Sequence, residues 1–153
     1  EAEGYRPELV VHLRPTSPAR APGLIDDAVA RLLAHPSATS LRSVSPAPQT
    51  PWKMWEIDGA GMLQPLLGTL EEEQFNRPRQ QLPPAWLHDG VIDVIRSEVV
   101  LAGSMTGHQI VAFPLDEDDG IDIDRPDDLP AAEAALARLA AVQPGEGSPS
   151  SSQ

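Results

Sequence analysis

Leu9-Val10-Val11-His12-Leu13-Arg14-Pro15-Thr16-Ser17-Pro18-Ala19-Arg20 is the stretch whose reading decides the fold. Its first five residues form a short, nearly continuous apolar run, the pattern of a strand buried on both faces of a parallel sheet. Arg14-Pro15 closes the run. The residues that follow carry two hydroxyls and two guanidinium groups and lead into a helix. That places them at the C-terminal edge of a strand, where α/β sheets hold anionic ligands. A rigid proline-rich turn without a ligand is the plainer reading of the same residues. His12 reads as a hydrogen-bonded core or edge histidine rather than a metal ligand.

Working outward, residues 23–34 put Leu24, Ile25, Ala28, Val29 and Leu32 on one helical face, with Asp26 and Asp27 near the N-terminus, where the helix dipole favours them. Thr39-Ser40-Leu41-Arg42-Ser43-Val44 reads as the next strand. Pro46, Pro48 and Pro51 then interrupt the chain before Trp52-Lys53-Met54-Trp55-Glu56-Ile57 resumes extended alternation. Strand, helix, strand is the rhythm of an α/β fold. Between Gly59 and Gln81 the pattern weakens, which marks an excursion from the main sheet. Residues 91–95 and 110–113 are two further strands, separated by a loop holding Gly103-Ser104-Met105-Thr106-Gly107. An Ala-rich helix is expected over 130–141, with Pro126 placed to open it. Residues 142–153 have nothing to bury and read as a disordered tail.

The 153 residues are sized for one domain. With 11 basic and 23 acidic side chains the formal charge is -12, which excludes nucleic acid or an anionic membrane as partner. Phosphate binding by such a chain calls for a metal. The chain has no Cys, which rules out disulfides, thiolate metal sites and a cysteine nucleophile and fits a reducing cytoplasm, the compartment expected. No apolar run approaches the roughly 20 residues that span a bilayer, so a soluble protein is expected. The first residue is Glu, consistent with a fragment or a processed product.

Two further elements could carry chemistry. Ile121-Asp122-Ile123-Asp124 alternates apolar and acidic residues, so on a strand both carboxylates would face one way and could clasp Mg²⁺. An edge strand with a solvated acidic face fits the same alternation. An EF-hand does not: Gly120 as its glycine would put Leu115 and Pro126 where acidic ligands are required. Arg79-Gln80-Gln81-Leu82-Pro83 offers a guanidinium for a carboxylate and an amide for hydroxyls, or simply a solvated surface.

Taken in order, Leu13-Arg14-Pro15-Thr16-Ser17-Pro18, Pro51-Trp52-Lys53, Arg79-Gln80-Gln81-Leu82-Pro83, Asp89-Gly90 and Asp122-Ile123-Asp124 resemble the acylneuraminate cytidylyltransferase family, the CMP-sialic acid synthetases. The match runs over about residues 4–139. It implies a three-layer, Rossmann-like nucleotidyltransferase fold with a mostly parallel sheet, spanning 4–141 here. It also implies a reaction in which Mg²⁺ helps the anomeric hydroxyl of a sialic-acid-type sugar attack the α-phosphate of CTP, releasing pyrophosphate. Asp122 and Asp124 match the family's catalytic, metal-binding aspartates. Arg14, Thr16, Ser17, Arg79, Gln80 and Asp89 fall on the substrate side, and residues 58–82 match a segment through which two copies pair as a homodimer. The chain departs from the family at Arg14, where known members carry Gln, and at Asp89, where they carry Asn. The family's N-terminal strand and glycine- and lysine-containing phosphate loop have no counterpart here. A fragment without that loop is expected to be nearly inactive alone, since electrostatic stabilisation of the phosphates dominates nucleotidyl transfer. A transferase for another acidic sugar or nucleotide, and a non-catalytic sugar-binding or oligomerisation module, are the alternatives.

Overall fold

The computed structural model describes residues 4–116, 121 and 123–142. In chain order these form β1 (Leu9–His12), α1 (Leu24–Leu33), β2 (Ser40–Pro46), β3 (Trp55–Ile57), β4 (Leu63–Pro65), β5 (Trp86–Arg96), α2 (Ser97–Leu101), β6 (Ile110–Pro114) and α3 (Leu129–Val142). Contacts divide the chain into two units: one runs up to Val44 and resumes at Asp89, the other is Ser45–His88.

In the first unit four strands form one sheet in the order β1-β5-β2-β6. β1 lies antiparallel to β5, with Leu9 opposite Arg96 and His12 opposite Asp93, whereas β2 runs parallel to β6 from Ser40 opposite Ile110 to Val44 opposite Pro114. The sheet is therefore mixed, with one antiparallel pairing at β1 and one parallel pairing at β6. An apolar run reports burial and carries no information about strand direction. Burial is also distributed differently from the expectation for residues 9–13. β1 is an edge strand of this sheet, with Val11 36 % and Leu13 38 % exposed. The strand enclosed on both faces is β5, whose stretch from Asp89 to Ile95 is buried throughout.

The core joins Leu24, Ala28 and Leu32 of α1 to Leu41 of β2 and to Val91, Ile92 and Val94 of β5, with Ala38 and Leu115 closing it. Each fully buried Leu, Ile or Val here contributes about 1.5–3 kcal/mol through removal of apolar surface from water. α1 thus buries Leu24, Ala28 and Leu32 of the face that its 3.6-residue period predicts and packs Val29 against the core, but Ile25, expected on that face, is exposed, as is Leu33. A five-residue helix, α2, occupies part of the stretch between the two later strands that reads as loop. Pro126–Asp128 forms a 3-10 turn, and α3 starts at Leu129 with Pro130 in its second position, where the missing N–H breaks no helical bond.

In the second unit Pro51–Lys53 forms a 3-10 turn, so the extended run expected from Trp52 starts only at Trp55. β3 pairs antiparallel with β4, Glu56 opposite Gln64. Asp58 turns the hairpin by accepting the N–H groups of Ala60 and Met62, both at 2.9 Å. Trp55 packs against Phe75 with ring centroids 4.4 Å apart. Among the described residues no helix is long and apolar enough to cross a membrane. The tail expected over 142–153 lies, apart from the backbone end of α3, outside the described residues.

Candidate functional site

The turn after β1 is held by its own backbone and by one guanidinium. Ser17 N–H donates to the Arg14 carbonyl at 3.3 Å, and Arg20 Nη2 donates to the same carbonyl at 2.7 Å. Arg20 Nε reaches across to the Val91 carbonyl of β5 at 3.0 Å. Burial pulls the Arg20 pKa below its ordinary value, yet a guanidinium stays charged at neutral pH. The turn's polar side chains divide. Thr16 is exposed and Arg14 half-buried, whereas Ser17, expected on the substrate side, is fully buried.

Arg14 lies over β5 at a point where no side chain stands in its way. Gly90 has φ +75°, and a Cβ built there would sit 2.8 Å from Arg14 Nη1 and 2.9 Å from Cζ. Glycine is required twice at this position, for the left-handed backbone and for the space. Beside it Asp89 is 8 % exposed. Its Oδ1 accepts the Ser43 hydroxyl and, at 3.1 Å, the Val91 N–H. Ser43 Oγ in turn accepts the Ile92 N–H at 3.0 Å. Asp89 Oδ2 is buried and has no hydrogen-bond partner among the described residues. A buried carboxylate oxygen in that state costs about 1–3 kcal/mol, a cost that a polar ligand can relieve.

The acidic segment is not a strand where it is described. Ile123 N–H donates to the Thr16 carbonyl at 2.8 Å, which ties the segment to the Arg14–Arg20 turn. Asp124 is exposed, and its N–H and that of Arg125 both donate to Asp128 Oδ2, at 3.0 and 2.8 Å. Asp128 thus fixes the backbone that presents Asp124. Asp122 lies outside the described residues. Among the described residues no three His, Asp or Glu side chains converge as a metal cluster.

Arg79 and Gln80 belong to the second unit and line a cavity of about 470 Å³ with Thr50, Leu82 and the prolines 46, 83 and 84. The Arg79 guanidinium donates to the carbonyls of Pro48 and Ala47 at 3.0 and 2.9 Å, bracing that loop. Sequence reasoning missed several participants. Ser43 reads as an ordinary strand residue, and Asp128 as one more acid at a helix start. The charged row across the sheet was also missed, in which buried Asp93 lies 3.2 Å from Arg42 Nε and 3.7 Å from His12 Nδ1. His12 itself sits, as expected for an edge histidine, on the outer strand.

No family model and no curated protein matches the chain. Among solved structures it is similar to the crystal structure of 4-diphosphocytidyl-2C-methyl-D-erythritol synthase from Anaerococcus prevotii, with a TM-score of 0.53 at 12 % identity. The alignment covers 90 % of this chain and 62 % of that one, so the chain spans less than two thirds of the enzyme it matches. At this identity the likeness is one of fold: the chain folds like part of a cytidylyltransferase.

Proposed function

We propose that the chain is part of a nucleotidyltransferase of three-layer, Rossmann-like architecture that activates a sialic-acid-type nonulosonate with CTP, giving the CMP-sugar and pyrophosphate. The observation that carries this reading is the seat of Arg14 on Gly90 beside buried Asp89, at the end of a turn whose sequence resembles the CMP-sialic acid synthetases. The cytidylyltransferase fold supports the same reading.

In this reading Arg14 pairs with the sugar carboxylate, a charge-assisted contact. Exposed Thr16 offers its hydroxyl to the sugar, and Asp89 offers Oδ2 to one of its hydroxyl donors. Ser17 serves by shaping the turn from inside. Asp124, with Asp122, would hold Mg²⁺: its carboxylate is exposed on a backbone fixed by Asp128, and hard cations take such oxygens. The ion would supply positive charge against the triphosphate, which this acidic chain lacks. Arg79 and Gln80 are proposed to read the sugar acid as the family resemblance implies. The second unit, whose hairpin exposes Ile57 and Met62, is proposed as the homodimer contact.

Calorimetric titration with N-acetylneuraminate tests the assignment. Binding is expected, with an Arg14→Ala loss of about 10- to 100-fold, the equivalent of roughly 1.5–3 kcal/mol for a charged hydrogen bond. Equal affinity for Arg14→Ala and the parent chain would remove the basis of the reading.

A further inference from the structure

The contact of Arg14 with Gly90 joins two segments 76 residues apart in sequence, and both of its ends are anchored by one side chain. Arg20 Nη2 bonds the carbonyl of Arg14 itself, and Arg20 Nε bonds the carbonyl of Val91, the residue after Gly90. A guanidinium is planar, with its donors in a rigid fork. Two acceptors bound by one such fork have their separation constrained by it, so Arg20 spans the gap from the turn to β5. The Ser17 N–H on the Arg14 carbonyl closes the turn but spans no gap to the sheet.

We propose that Arg20 is a positioning residue for substrate recognition: by bridging the Arg14 and Val91 carbonyls it seats the Arg14 side chain over Gly90, in place to meet the carboxylate of the sugar acid. The substrate half of this statement rests on the reading under Proposed function, and the clamp half does not. Charge alone does not perform the role, because a lysine ammonium is a single point donor on a flexible stem and cannot hold two carbonyls at a set separation. The partial burial that lowers the Arg20 pKa is consistent with a guanidinium enclosed between turn and strand.

Nuclear magnetic resonance separates the two halves. In the parent chain the Arg14 δ protons should show nuclear Overhauser contacts to the Gly90 α protons, and Arg20 Nε–H a through-hydrogen-bond coupling to the Val91 carbonyl carbon. Arg20→Gln and Arg20→Lys should lose the Arg14–Gly90 contacts while the methyl shifts of Leu41 and Val94 stay in place. Both should weaken N-acetylneuraminate binding about tenfold, with Lys giving no rescue. A resolved Arg20 Nε–H without the coupling overturns the clamp whether or not the variants fold. Retained Arg14–Gly90 contacts in a folded variant, or their loss with undiminished affinity, overturn the positioning role. A parent chain that shows the contacts and the coupling but binds no sugar acid leaves the clamp standing and overturns the substrate reading alone.

Discussion

The core of the first unit and the hairpin of the second use their apolar residues in opposite ways. In the first, Val91, Ile92, Val94 and Ile95 of β5 are wholly buried, and Leu41 and Leu32 pack into the same region at 0 % exposure. In the second, Ile57 is 74 %, Met62 62 % and Leu63 53 % exposed, all on one two-stranded hairpin. A hairpin of this length is marginal in water by itself. The first unit carries its own core, while the hairpin leaves apolar side chains exposed. A side chain such as Arg14 is held to a set position where the backbone beneath it is fixed, as it is on buried β5.

The largest effect should come from breaking the core side of that contrast. Ile92→Ala should cost about 2–5 kcal/mol in denaturant unfolding, from lost burial and the cavity left behind. Ile57→Ala on the hairpin should stay within about 0.5 kcal/mol, as exposed substitutions do. Comparable losses at the two sites would erase the distinction.

A smaller effect sharpens the other side. If the hairpin pairs with a second copy, Ile57→Asp should weaken self-association in sedimentation by about tenfold or more, roughly 1.4 kcal/mol, with little change in monomer unfolding. A parent chain that stays monomeric across the accessible concentrations contradicts the dimer contact.

The smallest effect concerns the hairpin turn. The N–H groups of Met62 and Ala60 hold the Asp58 carboxyl below its ordinary value. A group with a depressed folded-state pKa stabilises above its unfolded pKa, and the contribution is lost as pH falls through the folded value. Hairpin amide shifts should therefore move in a titration starting in the ordinary carboxylate range and continuing below it. In Asp58→Asn that titration should vanish, while the buried strands of the first unit show no matching change in either chain.

How much of this was legible in the sequence depends on the range of each interaction. The helix α1 and the strands β2 and β6 follow from local periodicity close to their observed bounds, whereas β5 is expected only over 91–95 and in fact starts at Trp86, where its exposed first residues carry no apolar run. β1 was found but misjudged, because an apolar run looks the same on an edge as in the middle of a sheet. β3 and β4 are three residues each, too short for alternation to register as paired strands. The Asp122-Ile123-Asp124 alternation reads as a strand, yet the described residues Ile121, Ile123 and Asp124 are not in one, and Ile123 bonds a turn carbonyl. The Arg20 bridge was invisible for a different reason. One of its acceptors is a main-chain carbonyl 71 residues away, and a carbonyl leaves no mark in residue identity. Among the expected site residues, those on the turn and at 89 come together in the first unit, joined at the turn by the backbone next to Asp124.

Mapping amide shifts as N-acetylneuraminate is added shows whether Arg14, Thr16 and Asp89 meet the sugar acid as proposed. Changes are expected at Arg14, Thr16, Asp89, Gly90 and Val91, with the hairpin residues Trp55, Ile57 and Leu63 unmoved. Shifts centred on the hairpin, or none at the turn at millimolar sugar, would contradict the proposal.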